Sequence, residues 1–363
     1  MSNETIHEVG KEFYYFKSDE DDFHRNVYLK RFLGEDGETV SILFDPGTRH
    51  EIPQITEVTK KLIGGIQNLD LIFLSHQDPD LTASLGALLT SAPKSRVVSA
   101  IDTWRLIKTY GIPENRFLAV ENFRNKIMRI AKTGHRVQFV PAYFCHFRGA
   151  VMFYDFESQV LFSGDFLAGL NSRTGDGIWA TEESWEGISV MHQIYMPTKD
   201  ALEETIGRVS MLNPMPEIIA PQHGDVIKGD LVVEFLSRLM GLEVGLELMK
   251  KEEPQKELTL SALNAFLDYL GEHHPDIQKE TLEGLKNAGS FTTIFVVSQN
   301  SIVDLKVSTN EAIKGVWDVL TRIAPEEVLH DVKTILLGDL DQLGVAVDPK
   351  IFGGVDEAEE LFA

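Results

Sequence analysis

The chain has 363 residues, 43% of them hydrophobic, which suits a large globular domain with an appendage and excludes a disordered protein. Its 34 basic against 56 acidic residues leave a formal charge of −22, which opposes attraction to nucleic-acid phosphates and anionic lipid, so neither partner is expected. A single cysteine, Cys145, excludes an intramolecular disulfide and a thiolate cluster for a structural zinc or an iron–sulfur centre, and it fits a reducing cytoplasm.

The N-terminal "MSNETIHEVGKEFYYFKSDEDDFH" has no basic region followed by an apolar core, and no window approaches 18 uninterrupted apolar residues, so an unexported, cytoplasmic protein off the membrane is expected. "NVYLKRFL", "GEDGE" and "TVSILFDPG" read as a hairpin ending at Asp45-Pro46-Gly47. "ITEVTKKLIGGI" has helical spacing, and "LDLIFLS" reads as a strand buried on both faces. "LTASLGALLTSAP" returns to a helix, "SRVVSA" to a strand and "DTWRLIKTYGI" to a helix. "HRVQFVPA", "AVMFYDFESQVLFSGD" and "EIIAPQHGD" then supply strands that each deliver a polar residue at the C-terminal end. The mixture predicts a layered α/β architecture whose loops carry the chemistry.

At "ELMKKEEPQKELTLS" the charge density rises and a proline appears, which places a boundary between residues 1-248 and 249-363. The later part reads as helix ("SALNAFLDYLGEHH"), hairpin ("FTTIFVVSQNSIVDLKV") and two amphipathic helices ("NEAIKGVWDVLTRI", "PEEVLHDVKTILLG"). It has no Gly-rich phosphate loop, so no FMN is expected in this chain. Dimerisation or partner binding is the expected role of this smaller unit.

The first strand end, "LSHQDPDL", carries His76, Asp78 and Asp80, two residues apart. His146 in "FVPAYFCHFRGA", Asp165 in "VLFSGDF" and His223 in "IIAPQHGD" follow other strand-like runs. Any one of these alone is an ordinary core histidine or turn aspartate. Together they are three imidazoles and three carboxylates from four strand ends, enough for two metals bridged by a shared carboxylate.

With these residues the sequence resembles the metallo-β-lactamase superfamily, whose αββα sandwich gathers its ligands from such loops. The usual hydrolase motif is H-x-H-x-D-H, whereas here His76-Gln77-Asp78-Pro79-Asp80-Leu81 replaces the second histidine by a carboxylate and the last by leucine. That departure resembles the branch of flavodiiron proteins and oxygen-binding di-iron proteins, whose motif is H-x-E-x-D. The spacings of 70, 19 and 58 residues from His76 through His146 and Asp165 to His223 also fit that branch.

The resemblance implies an αββα sandwich with a smaller C-terminal α/β domain, and a first metal held by His76, Asp78 and His146. Asp80 and His223 would hold the second metal, with Asp165 bridging. A carboxylate-rich set favours two iron ions, with zinc or manganese as alternatives. His24, His192 and Tyr195 would lie around the open side and donate hydrogen bonds to bound oxygen. Binding of O2 or NO for sensing is the leading expectation, with a signalling or electron-donor protein as partner and a homo-oligomer as the assembly. A metal-dependent hydrolase and an O2 or NO reductase fed by a separate donor are the alternatives.

Overall fold

The computed structural model describes residues 6–17, 24–170, 177–250, 253–289 and 293–352. The chain divides into two compact units, Met1–Leu248 and Met249–Ala363.

The first unit opens with β1 (His7–Gly10), β2 (Phe13–Lys17), β3 (Asn26–Leu33) and β4 (Thr39–Phe44), joined antiparallel. Then come α1 (Ile52–Ile63), β5 (Leu71–Phe73), α2 (Pro79–Thr82), α3 (Leu85–Ser91), β6 (Arg96–Ser99), α4 (Ile101–Ile107) and β7 (Phe117–Ala119). Strands β4 to β7 run parallel and complete a sheet in the order β1-β2-β3-β4-β5-β6-β7. The second sheet is built from β8 (Ile127–Arg129), β9 (Arg136–Pro141), β10 (Val151–Asp155), β11 (Val160–Gly164), β12 (Ile218–Pro221) and β13 (Ile227–Lys228). Only β11 and β12 pair in parallel there. Helices α5 (Ser184–Tyr195) and α6 (Lys199–Ser210) precede β12, and α7 (Asp230–Gly241) follows β13.

Alternation along the strands creates four layers, because successive side chains point to opposite faces of a sheet. Phe44, Phe73 and Val98 face inward to meet Phe139, Phe153 and Phe162 of the other sheet. Their neighbours Leu43, Ile72 and Val97 face outward under Val58, Leu88 and Ile107 of α1, α3 and α4. Met152 and Leu161 of the second sheet likewise face Ile206 and Phe235 of α6 and α7. Phe44 alone sits within 5.7 Å, centroid to centroid, of Phe13, Phe73, Phe153 and Phe162, in tilted and edge-on arrangements that suit the ring quadrupoles. The result is an αββα sandwich.

At the end of β11 away from Gly164, Lys30 and Asp155 form an ion pair at 2.9 Å with both side chains wholly buried. Asp155 also accepts from Glu157 N and Ser158 N, so the charge is shared with the turn between β10 and β11. Removing either partner would leave an uncompensated buried charge at a cost of about 3–5 kcal/mol.

Some elements differ from the sequence expectation. The helix expected over "ITEVTKKLIGGI" stops at Ile63, because Gly64 takes a left-handed φ of 77° and caps α1. The helix expected over "LTASLGALLTSAP" is two short helices, α2 and α3.

The second unit, with α8 (Gly245–Lys250) at the junction, contains α9 (Glu253–His273), α10 (Pro275–Lys286), the hairpin β14 (Phe295–Ser298) and β15 (Ser301–Leu305), α11 (Thr309–Ile323) and α12 (Glu326–Gln342). The proline taken from the sequence as a linker mark, Pro254, lies in the first turn of α9, where a backbone N–H has no partner within the helix in any case. Phe266 and Leu270 of α9, Leu282 of α10, Phe295 and Leu305 of the hairpin, Val316 of α11 and Leu336 of α12 share one core.

Candidate metal centre

Each candidate ligand follows a strand of the sandwich. Beyond β5 the chain turns at Ser75 into His76, then places Asp78 just ahead of α2 and Asp80 within its first turn. His146 lies in the loop between β9 and β10, and Val151 N donates to Ser75 O at 2.9 Å, which ties that loop to the end of β5. Asp165 follows β11 and His223 follows β12. Asn26 N donates to Gln222 O at 2.6 Å, closing the second sheet onto the first.

The six side chains meet. Asp78 Oδ2 lies 3.1 Å from His146 Nε2 and 3.7 Å from His76 Nε2. Asp165 Oδ2 lies 3.1 Å from His146 Nε2 and 3.4 Å from His76 Nε2. The other oxygen, Oδ1, is 3.7 Å from His223 Nε2, which in turn is 3.2 Å from Asp80 Oδ2. One carboxylate therefore faces two separate groups of donors.

Neighbouring groups aim the imidazoles. The Ser75 hydroxyl donates to Asp45 Oδ2 at 2.5 Å and so accepts from His76 Nδ1 at 2.9 Å, leaving Nε2 toward the carboxylates. His223 Nδ1 donates to the main-chain carbonyl of His24 at 2.7 Å, with the same consequence. Two glutamines hold the carboxylates: Gln77 Nε2 donates to Asp78 Oδ1 at 2.6 Å and Gln222 Nε2 to Asp80 Oδ2 at 3.0 Å. Asp45, Ser75, Gln77 and Gln222 were missed by sequence reasoning. The available signal was their position, since three of them directly adjoin a candidate ligand and Asp45 closes the parallel strand beside β5.

Electrostatics follow from this crowding. Burial pulls the His76 imidazole down, but Asp165, Asp78 and Asp45 outweigh it and raise it to about 8. Burial also opposes the charge on His146, which Asp165 and Asp78 nevertheless raise to about 10. Burial would push Asp165 up, yet His76, His146 and His223 hold it down at about 2. Asp78, also penalised by burial, is lowered by hydrogen bonds from His146 and His76. Asp78 and Asp165 are thus held ionised at neutral pH, and a metal entering would displace protons from His76 and His146.

The donor set fits a metal. His76, Asp78 and His146 offer ligand atoms within 4.8 Å of one another. Asp165 Oδ1, buried, has no hydrogen-bond partner among the described residues, a costly state that a second cation would relieve. Asp78 reaches the first group of donors although it is one methylene shorter than the glutamate of the resembling motif. Leu81 is wholly buried in the core under α1 and α3, so a histidine there would sacrifice packing before it offered a donor.

The residues expected around the open side fall differently. Tyr195 is the exposed member, its ring centroid 5.9 Å from that of His146. His192 departs from the expected donor role. It is wholly buried, with Nδ1 2.7 Å from Ile188 O and Nε2 accepting from Leu167 N at 3.1 Å, so both ring nitrogens are engaged by main chain. His24 meets the site through its carbonyl. Cys145 is buried, with its sulfur 3.4 Å from the Thr205 hydroxyl and 3.6 Å from Ala201 O, and that burial pushes its thiol up to about 12, as for an inert core residue.

Sandwich and ligand arrangement together define a metallo-β-lactamase-fold protein with a carboxylate-rich site. The family model described as ODP family beta lactamase matches residues 23–224, more than half of the chain, and the chain belongs to that family. It is similar to the structure described as the peroxy diiron species of the chemotaxis sensor ODP, with 25% identity and a TM-score of 0.55 over 68% of this chain and 98% of that one. A flavo di-iron protein of Thermotoga maritima shares the fold, with 17% identity and a TM-score of 0.56 over 66% of this chain and 62% of that one. A putative diflavin flavoprotein A 4 of Synechocystis sp. is 27% identical over 170 residues, 46% of this chain. The match spans 27% of that relative, about a quarter of its length.

Proposed function

We propose that this chain is a di-iron protein that binds O2 at the Asp165-bridged site and serves oxygen sensing or signalling. The observation that carries the reading is the division of Asp165 between two groups of donors, Oδ2 toward His76 and His146 and Oδ1 toward His223. His76, Asp78 and His146 would hold one iron and Asp80 and His223 the other. The resemblance to the chemotaxis sensor ODP supports the sensing role. When bound, the two ferrous ions would supply electrons to O2 and an open position for it.

The chain's own groups do the rest. Ser75, backed by Asp45, and the His24 carbonyl keep Nε2 of His76 and His223 inward. Gln77 and Gln222 restrain the terminal carboxylates. Tyr195, whose exposed ring lies beside that of His146, would offer a phenol donor to an incoming diatomic molecule. Residues 249–363 are assigned to partner contact or dimerisation, and electrons for any turnover would come from a separate donor protein. No helix among the described residues is long and apolar enough to cross a membrane.

The test is metal analysis of anaerobically purified protein, with absorption spectra before and after air. Two irons per chain and a new visible band on exposure are expected. Zinc alone, with no spectral response, would replace this reading by a metallo-hydrolase, because Zn²⁺ is redox-silent.

A further inference from the structure

We infer that His192 is a positioning residue for the bridging carboxylate: from α5 it clamps the backbone of Leu167 and so sets the direction of both Asp165 oxygens. The inference rests on the di-metal reading above. Ile188 O, a carbonyl, can only accept, so the proton of the imidazole sits on Nδ1 and Nε2 is left bare to accept from Leu167 N. Burial supports the neutral form by pulling His192 down to about 4.

Leu167 needs such a hold. Its φ of 61° lies in the left-handed region, where a side chain is disfavoured, and it stands two residues beyond Asp165. The rest of the loop is strung between the same helix and His223. Leu170 N donates to Gly187 O of α5 at 3.2 Å, Ala168 N to Asp165 O at 3.1 Å, and Gly169 N to His223 O at 3.1 Å. Gly224, at φ 80°, leaves the space this needs, since a Cβ there would come within 2.9 Å of Gly169 N. Bridging demands that one oxygen face each donor group, so a small rotation of this loop would cost the bridge before it cost the first iron.

Two amide variants separate this role from general packing. His192→Gln places an acceptor where Nε2 stands, under Leu167 N, whereas His192→Asn reproduces the Nδ1 position and falls short of Leu167. In anaerobically iron-loaded full-length protein, His192→Asn should hold the second iron about tenfold less tightly or worse, the range seen when outer partners of ligands are lost. Mössbauer spectra should show loss of exchange coupling between the irons. His192→Gln should retain both properties near wild type. Equal behaviour of the two variants, both coupled or both uncoupled, would overturn the inference while a two-iron wild type kept the functional reading intact. A wild type that never takes up two irons would instead sink that reading. Amide hydrogen exchange in the wild type tests the clamp without any variant: slow exchange at Leu167 is expected, and fast exchange there overturns it.

Discussion

Asp165 is the residue on which the site turns, because its two oxygens have different neighbours while Asp78 and Asp80 each serve one. Asp165→Ala should therefore lose more iron than either Asp78→Ala or Asp80→Ala. The loss should exceed the roughly 10–100-fold in affinity that removal of an outer partner costs. Equal iron content in the three purified variants, measured by plasma emission, would remove the bridge. The supporting residues are as exacting. Gly164, at φ 58°, has no room for a Cβ, which would lie 2.8 Å from both Cβ and Oγ of Ser75, the hydroxyl that orients His76. At this scale the sequence showed ligand types at strand ends, but it could not show that His192 turns both ring nitrogens to main chain. A histidine's partners are set by what packs across from it.

Among the elements, those with strong local signals were legible. The hairpin of β3 and β4, with its polar "GEDGE" turn, and the short apolar runs of β9 to β12 follow from patterning that reads the same in the folded chain. Others were passed over although their spacing was present: α6 buries Ala201, Leu202, Thr205, Ile206 and Val209, a regular helical stripe. Short strands such as β7 and β8, of three residues each, carry too little pattern to be seen without their partners. Helix α11 is fastened at its start by a reciprocal capping box, Ser308 Oγ accepting from Glu311 N and Glu311 accepting from Ser308 N. Ser308→Ala should cost about 1 kcal/mol, read as a lowered midpoint in urea followed by circular dichroism. An unchanged midpoint would show that the tertiary packing of Ile313, Val316 and Leu320 alone sets the start of this helix.

For the whole molecule, the aromatic core between the sheets and the site above it belong to residues that all lie before position 249. The second unit has a core of its own and supplies none of the proposed ligands. A chain ending at Lys250 should therefore fold and bind about two irons, while losing any oligomer or partner contact that the second unit provides. Iron content and sedimentation of the shortened protein check this. A folded truncation that binds no iron would show that residues 251–363 complete the site.

What the sequence by itself determined is local and chemical. Periodicity marked which segments are strands or helices. The run of His76, Asp78 and Asp80, with His146, Asp165 and His223 behind, named a hard and carboxylate-rich donor set. Only the tertiary structure decided which oxygen of Asp165 faces which imidazole, that the His24 carbonyl rather than a distant side chain steadies His223, and that His192 looks toward Leu167. The physical reason is distance along the chain. Spacings of 19 to 70 residues between ligands carry no angle. Orientation arises where two sheets close on each other, and there a main-chain carbonyl serves as well as any side chain and leaves no mark in the sequence.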